Sequence, residues 1–187
     1  MILITGGARS GKSSFAQTLA ESISPRRLFI ATCPNIDKEM ADRVRRHQEQ
    51  RRGRGWVTLE RQADLAGVFA SGVGDCEVVL IDCLTLWVNN LLFNAPDGGA
   101  TMDDFLIARL CEEWLQEVEK YHGTVVCVTN EVGLGIVPDN TLARRYRDLV
   151  GTCNQVVGRK ADEVVLVSCS IPLYLKRSPD SNNTRQE

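Results

Sequence analysis

Metal-binding and disulfide signatures are missing from this sequence. Its seven cysteines, Cys33, Cys76, Cys83, Cys111, Cys127, Cys153 and Cys169, are odd in number and form no C-x-x-C pair. That spacing fits neither a zinc site nor a disulfide framework. Most of them sit inside apolar runs, so reduced, mostly buried thiols in a cytoplasmic protein are expected. Histidine is scarce, with two residues, and lysine supplies only five of the 22 basic residues. Acidic residues number 24, for a net charge of −2. No global field therefore draws the chain to nucleic acid or anionic lipid. No stretch reaches the roughly 18 uninterrupted apolar residues of a membrane span. No basic segment precedes an apolar one at the N-terminus, so no signal peptide is expected.

What is present is an ordinary globular composition: 187 residues, 43% hydrophobic and 25% charged. A chain of this size buries roughly 70% of its unfolded surface and needs no staples. Strand-type runs are Ile2–Thr5, Leu28–Thr32, Trp56–Glu60, Glu77–Asp82, Thr124–Asn130, Glu163–Ser168 and Leu173–Leu175. Val78-Val79-Leu80-Ile81 and Val125-Val126-Cys127-Val128 are continuously apolar. Strands apolar on both faces suit a parallel sheet covered by helices on both sides. Helical patterns fill the gaps at Lys12–Ser22, Lys38–Arg51, Ala63–Ala70, Met102–Tyr121 and Thr141–Val157. In the last, Leu142, Tyr146, Leu149, Cys153 and Val156 make an apolar stripe. The alternation predicts a doubly wound α/β domain with a mostly parallel sheet. Asn94–Ala100 and Gly133–Asn140 are the expected loops. The expectation is one domain over residues 1–176, followed by a polar, disordered tail at 177–187.

The strongest motif is Gly6-Gly7-Ala8-Arg9-Ser10-Gly11-Lys12-Ser13, which matches G-x-x-x-x-G-K-[ST] between an apolar strand and a helix. Glycines let backbone N–H groups converge on phosphate oxygens, and the helix presents its N-terminal dipole to the same anion. Lys12 would reach the β- and γ-phosphates, and the Ser13 hydroxyl would sit on Mg²⁺. The run ending at Asp82 places a carboxylate at the C-terminal edge of the sheet, where open α/β folds bind ligands. Asp82 reads as a second Mg²⁺ ligand, as the general base for the acceptor, or as a helix N-cap, since Thr85 and Leu86 open a helical stretch. Asn130 and Glu131 end another apolar strand at the same edge. They read either as γ-phosphate or substrate contacts or as a polar strand exit.

Of the two histidines, His122 precedes Gly123 at a helix C-terminus and is expected to interact with the helix dipole. His47 lies in Arg43-Val44-Arg45-Arg46-His47-Gln48-Glu49-Gln50-Arg51-Arg52. On a helix, Arg43, His47 and Arg51 share one face. Nearby positive charge favours the neutral, nucleophilic imidazole, and the arginines can bind phosphates. A solvated basic helix explains the same spacing. A nucleic-acid surface is disfavoured, because the run has no interleaved aromatics and the protein is slightly acidic.

Six blocks, taken in order, resemble the bifunctional adenosylcobinamide kinase / adenosylcobinamide-phosphate guanylyltransferase family of cobalamin biosynthesis. They are Gly6–Ser13; Arg46-His47 with Arg51; Trp56–Glu60; Ile81–Leu91; Asn130–Pro138; and Tyr146–Gln155. The resemblance extends to about Lys176. Gly158 and Ser170-Ile171 depart from it, outside the proposed chemistry. It implies a P-loop NTPase (RecA-like) fold and two reactions. A nucleoside triphosphate, ATP or GTP, phosphorylates the aminopropanol hydroxyl of adenosylcobinamide. GMP then passes from GTP to that phosphate, giving adenosylcobinamide-GDP and pyrophosphate. It also implies that His47 carries GMP covalently and that Ala31, Thr32, Cys33, Gln48, Glu49, Gln50, Arg51, Glu60 and Asp82 line the nucleotide. A homotrimer is implied as well. The competing readings are a monofunctional small-molecule kinase, which forms no covalent nucleotide, and a nucleotide-switched nucleic-acid-binding module.

Overall fold

The computed structural model describes residues 1–33, 45, 49, 51–95 and 99–177. Seven strands form one sheet: β1 (Ile2–Thr5), β2 (Arg27–Ala31), β3 (Trp56–Glu60), β4 (Val78–Asp82), β5 (Thr124–Val128), β6 (Glu163–Ser168) and β7 (Ile171–Lys176). Their order is β3-β2-β4-β5-β1-β6-β7. Every neighbouring pair is parallel except β6–β7. That last pair is a hairpin whose two turn residues, Cys169 and Ser170, have φ of 51° and 65°, as a type I′ turn requires. The helices are α1 (Lys12–Ile23), α2 (Leu65–Ala70), α3 (Leu84–Phe93), α4 (Asp104–Glu119) and α5 (Thr141–Lys160).

The period-two alternation of the strands divides the core into two layers. In β4, Val78 and Leu80 face α1, where they pack with Ala16, Ala20, Phe29, Val126 and Val128. Val79 and Ile81 face the other helices, with Leu84, Trp87, Ile107, Trp114 and Leu149. Trp87 and Trp114 meet edge to face at 6.4 Å. Among the described residues the coverage is uneven, with α1 on one face and α2 to α5 on the other. Strands β3 and β7 are the two edges of the sheet; β3 packs against α1. Glu21 of α1 holds it, accepting from Trp56 Nε1 at 3.0 Å and pairing with Arg54. Burial would raise the Glu21 carboxyl, but bonds from Trp56 and Gln17 and the charges of Arg54 and Arg27 keep it below its ordinary value.

Helix boundaries differ from the periodicity where a side chain caps the backbone. Asp64, Asp103 and Asn140 accept from Gly67, Leu106 and Ala143 N–H groups at 2.7, 2.8 and 2.7 Å. These caps start α2 and α4 two residues later than the apolar pattern does. Helix α5 runs on to Lys160. Strand β5 ends at Val128 rather than Asn130, because Thr129 and Asn130 turn their polar groups to Asn154. The predicted loop at 133–140 includes part of a short 3₁₀ turn, Val132–Leu134. The helix expected over Lys38–Arg51 is described only at Arg45, Glu49 and Arg51, where the backbone is helical. Residues 96–98 of the expected Asn94–Ala100 loop, and 178–187 of the tail, lie outside the described residues.

All seven cysteines are free thiols, but only Cys111, Cys127 and Cys153 are buried and Cys169 is exposed. The expectation of mostly buried thiols therefore holds for the helix and central-strand positions alone. Burial pushes the Cys127 thiol up to about 12. Cys153 is raised by its hydrogen bond with Cys111 and by burial. Below the unfolded thiol value of about 8.5 both states keep their protons, so the stabilisation is complete there. Above it the unfolded chain ionises first, and stability falls as pH rises toward the folded values. The urea midpoint should therefore drop between pH 8 and pH 10.5 with an unchanged m-value. Cys127→Ala should flatten that slope; equal midpoints at the two pH values in the parent protein would contradict this account.

Candidate active site

Backbone register brings the predicted residues to one edge. Glu60 pairs with Ala31, Ala31 with Asp82, and Asp82 with Val128. On the far side of β5, Val128 pairs with Ile4, one residue before Thr5. The carboxyl ends of β3, β2, β4, β5 and β1 thus form one line, and the phosphate loop leaves from its β1 end. Since β5 lies between β1 and β4, two interstrand spacings, about 10 Å, separate the loop's strand from that of Asp82. That gap is wide enough for a phosphate chain.

The loop is shaped by contacts only glycine permits. Gly6 (φ 155°) packs so closely that a Cβ would run into the carbonyl oxygen of Val167 and the Ser10 hydroxyl. Gly11 (φ 95°) is the N-cap residue of α1 and abuts Ser170. The Ser170 N–H donates to the Ser10 carbonyl at 2.8 Å, so the β6–β7 turn braces the loop from outside. Gly7, Ala8 and Arg9 are exposed, and Arg9 has φ 59°. Lys12 Nζ donates to the Gly7 carbonyl at 3.0 Å. Ser13 follows in the first turn of α1. The Ser10 hydroxyl is buried with no hydrogen-bond partner among the described residues.

Asp82 and Cys83 occupy the opposite wall. The N-cap of α3 is Cys83, without a side-chain cap bond, so Asp82 is not the capping residue that the sequence allowed it to be. Buried Thr32 clamps the next residue: its hydroxyl donates to the Cys83 carbonyl and accepts from the Cys83 N–H, each at 2.8 Å. Buried Asn90 ties the Thr32 carbonyl at 2.7 Å to that of Gln62 at 2.9 Å. Burial, then the Asp82 charge, pushes the Cys83 thiol up to about 12, opposed in part by the nearby Lys12 ammonium. Ala31 and Cys33 are half-buried beside Thr32, while Glu60 is exposed at the end of β3.

Arg51 reaches this wall from the basic segment. It is only 6% exposed, and its guanidinium lies 3.5 Å above the Phe29 ring, a cation–π contact. Burial lowers its pKa while the charge of Asp82 acts in the opposite sense, and its Nε has no hydrogen-bond partner among the described residues. Glu49 is exposed. Arg43, Arg46, His47, Gln48 and Gln50 lie outside the described residues. His122 is exposed on the far side, where it borders a cleft of about 920 Å³ with Arg26, Cys76 and Glu77. That cleft lies at the amino ends of the strands, away from the loop.

A polar cluster that composition and spacing left undecided sits where β1 meets β5. The Glu131 N–H donates to the Gly6 carbonyl at 3.2 Å. Thr5 Oγ1 donates to Glu131 Oε1 at 2.6 Å, and Asn154 Nδ2 approaches the same oxygen at 3.4 Å. Thr129 donates to Asn154 Oδ1 at 2.6 Å and lies 3.3 Å from the Thr85 hydroxyl. The cluster escapes spacing arguments because its members come from β1, the residues just after β5, α3 and α5.

A family model for cobinamide kinase / cobinamide phosphate guanyltransferase matches residues 2–175. The chain belongs to this family. The bifunctional adenosylcobalamin biosynthesis protein CobU of Escherichia coli (strain K12) is 40% identical over 183 residues, covering 94% of this chain and 99% of that protein. CobU of Salmonella typhimurium is 39% identical over 94% of this chain and 99% of its own length. CobP of Pseudomonas aeruginosa is 38% identical over 95% of this chain and 98% of its own length. A kinase / guanyltransferase family uses nucleoside triphosphates, in keeping with the phosphate loop.

Transfer of phosphoryl groups in such a family implies Mg²⁺, and the donor set fits it. A Ser13 hydroxyl and an Asp82 carboxylate are hard oxygen donors on facing walls, and Mg²⁺ takes few protein ligands, completing its shell with phosphate and water. Among the described residues no cluster of three or more His, Cys, Asp or Glu side chains could hold a metal alone. The left-handed backbone at Gly11 gives a direct test. Gly11→Ala should cost about 1–3 kcal/mol through strain and contact with Ser170. It should weaken Mg·GTP binding at least tenfold by calorimetry; wild-type affinity in this variant would contradict the bracing described above.

Proposed function

We propose that this chain carries both reactions of its family at a single nucleotide site, with GMP held covalently on His47 between the two halves of the transfer. The observation supporting one site is Arg51: it comes from the basic segment, yet packs on Phe29 within the field of Asp82. This supports a position for the end of that segment on the wall facing the phosphate loop, and His47 stands four residues before Arg51 in the sequence. Gln48, Glu49, Gln50, Ala31, Thr32, Cys33 and Glu60 are proposed to line the guanine nucleotide.

Kinase chemistry cleaves the bond between the γ-phosphorus and the oxygen bridging it to the β-phosphate. Guanylyl transfer cleaves the α side. Backbone N–H groups from Gly6 to Ser13, with Lys12, hold the β- and γ-phosphates in both. They steady the migrating group in the first reaction and the departing pyrophosphate in the second. A neutral His47 nitrogen attacks the α-phosphorus, an N–P bond forms, and pyrophosphate leaves. An oxygen of cobinamide phosphate then attacks the same phosphorus, and the N–P bond breaks to release the GDP-linked product. Dividing the displacement in two lets the bulky corrinoid phosphate arrive after pyrophosphate has gone. Ser13 and Asp82 would hold Mg²⁺, which neutralises charge on the phosphate oxygens when bound.

The homotrimer and a cytoplasmic location belong to the same reading. Leu134, Ile136 and Val137, at 80%, 97% and 62% exposure, support a surface covered in an assembly. Free thiols support a reducing compartment.

Incubation with α-labelled GTP and Mg²⁺ should leave an acid-labile label on the protein. His47→Ala should remove it and abolish guanylyl transfer while kinase turnover persists; a labelled His47→Ala protein overturns the assignment. Lys12→Ala should lower both activities by about 100-fold or more. An intact guanylyl step in that variant would mean two separate nucleotide sites.

A further inference from the structure

We propose that Glu131 is the general base of the kinase step alone: it takes the proton of the cobinamide hydroxyl during γ-phosphoryl transfer and has no part in guanylyl transfer. This rests on the one-site reading above. The first support is position. The Glu131 N–H and the Lys12 ammonium donate to adjoining carbonyls, Gly6 and Gly7, at 3.2 and 3.0 Å. A phosphate-loop lysine addresses the β- and γ-phosphates. Glu131 therefore borders the outer end of the triphosphate, whereas the α-phosphorus, where guanylyl transfer occurs, lies toward the inner end.

The second support is the way the carboxylate is held. Thr5, itself buried, donates to Oε1, and the Asn154 amide approaches the same oxygen. Asn154 is fixed in turn by Thr129 and donates to the Asn130 carbonyl at 3.1 Å. Oε2 has no hydrogen-bond partner among the described residues. Glu131 is half-buried, so this oxygen remains within reach of an acceptor. One oxygen is locked by the fold and the other is presented, which is the geometry a positioned base needs. The carboxylate's described hydrogen-bond partners, Thr5 and Asn154, are neutral groups. Asp82, by contrast, lies in the field of Arg51 and is assigned to the metal.

The step balances without a further reactant. The hydroxyl oxygen attacks the γ-phosphorus and an O–P bond forms. The bond from that phosphorus to the β,γ-bridging oxygen breaks, and the nucleoside diphosphate leaves. The hydroxyl proton passes to Glu131 Oε2 and then to solvent. In guanylyl transfer the two nucleophiles, a neutral imidazole and a phosphate oxygen, need no such base.

The test separates the two reactions in the full-length protein. Glu131→Gln keeps the side chain's size and an oxygen for Thr5, but cannot accept the proton. Its kinase kcat on cobinamide should fall about 100-fold or more. Labelling by α-tagged GTP, and GMP transfer to chemically phosphorylated cobinamide, should stay within about threefold of wild type. Thr5→Val, which keeps the carboxylate and releases Oε1, should show the same split in weaker form, and it carries the test if Glu131→Gln does not fold. Kinase turnover within threefold of wild type in Glu131→Gln overturns the proposal. So does an equal loss of both reactions, which would make Glu131 a brace of the phosphate loop. A wild-type protein that labels with GMP but forms no kinase product would overturn the one-site reading instead, and this assignment with it.

Discussion

Everything in this site hangs from the carboxyl ends of parallel strands in fixed register. Backbone hydrogen bonds align Glu60, Ala31, Asp82 and Val128, and set Ile4 beside Val128. A slip of one residue would turn each side chain to the opposite face of the sheet. The buried residues of β4 and β5 forbid such a slip, because Val78, Leu80, Val79 and Ile81 each fill a specific layer. Core packing and site geometry are thus one constraint. The phosphate loop adds a local version of it, wedged between Val167, Ser170 and Glu131 where no Cβ fits at Gly6 or Gly11.

Two walls follow from that arrangement. On one side the loop presents backbone donors and Lys12. On the other, Thr32 and Asn90 clamp the chain around Cys83, and Arg51 lies over Phe29. A buried guanidinium near Asp82 is costly to maintain unless charge is brought to it. In the proposed one-site reading a nucleotide would supply that charge, and the segment bearing Arg51 also bears His47. The same grip on the β- and γ-phosphates can then serve bond cleavage on either side of the β-phosphate. What distinguishes the reactions is which nucleophile is activated, and by what.

Much of this was legible in the chain. The phosphate loop, the apolar run ending in Asp82, and the basic segment all declare themselves through local pattern. So do the β-strands, to within a few residues, since alternation and continuous apolar runs are local properties. Helix α3 was visible only at its start, because Leu84-Thr85-Leu86-Trp87-Val88 is apolar without a clear helical stripe. The reason lies in its packing: Leu84, Thr85, Trp87, Val88, Asn90 and Leu92 are all buried, so little polar face remains to mark a period. The alternative of Asp82 as a helix cap also survived sequence reasoning, and the structure gives that place to Cys83.

The sequence by itself determined the chemistry available: a phosphate-gripping loop, a carboxylate at a strand end, and one histidine among arginines. It did so because these motifs are short and their residues adjoin. Tertiary structure alone decided which distant groups meet. Glu131 sits at the mouth of the loop because β5 inserts between β1 and β4, and its carboxylate is held by Thr5 from one strand and Asn154 from a helix. The brace of Ser170 on Gly11 likewise depends on a hairpin more than 150 residues further along the chain. Such contacts arise from strand order and helix packing, which join residues that no local pattern relates.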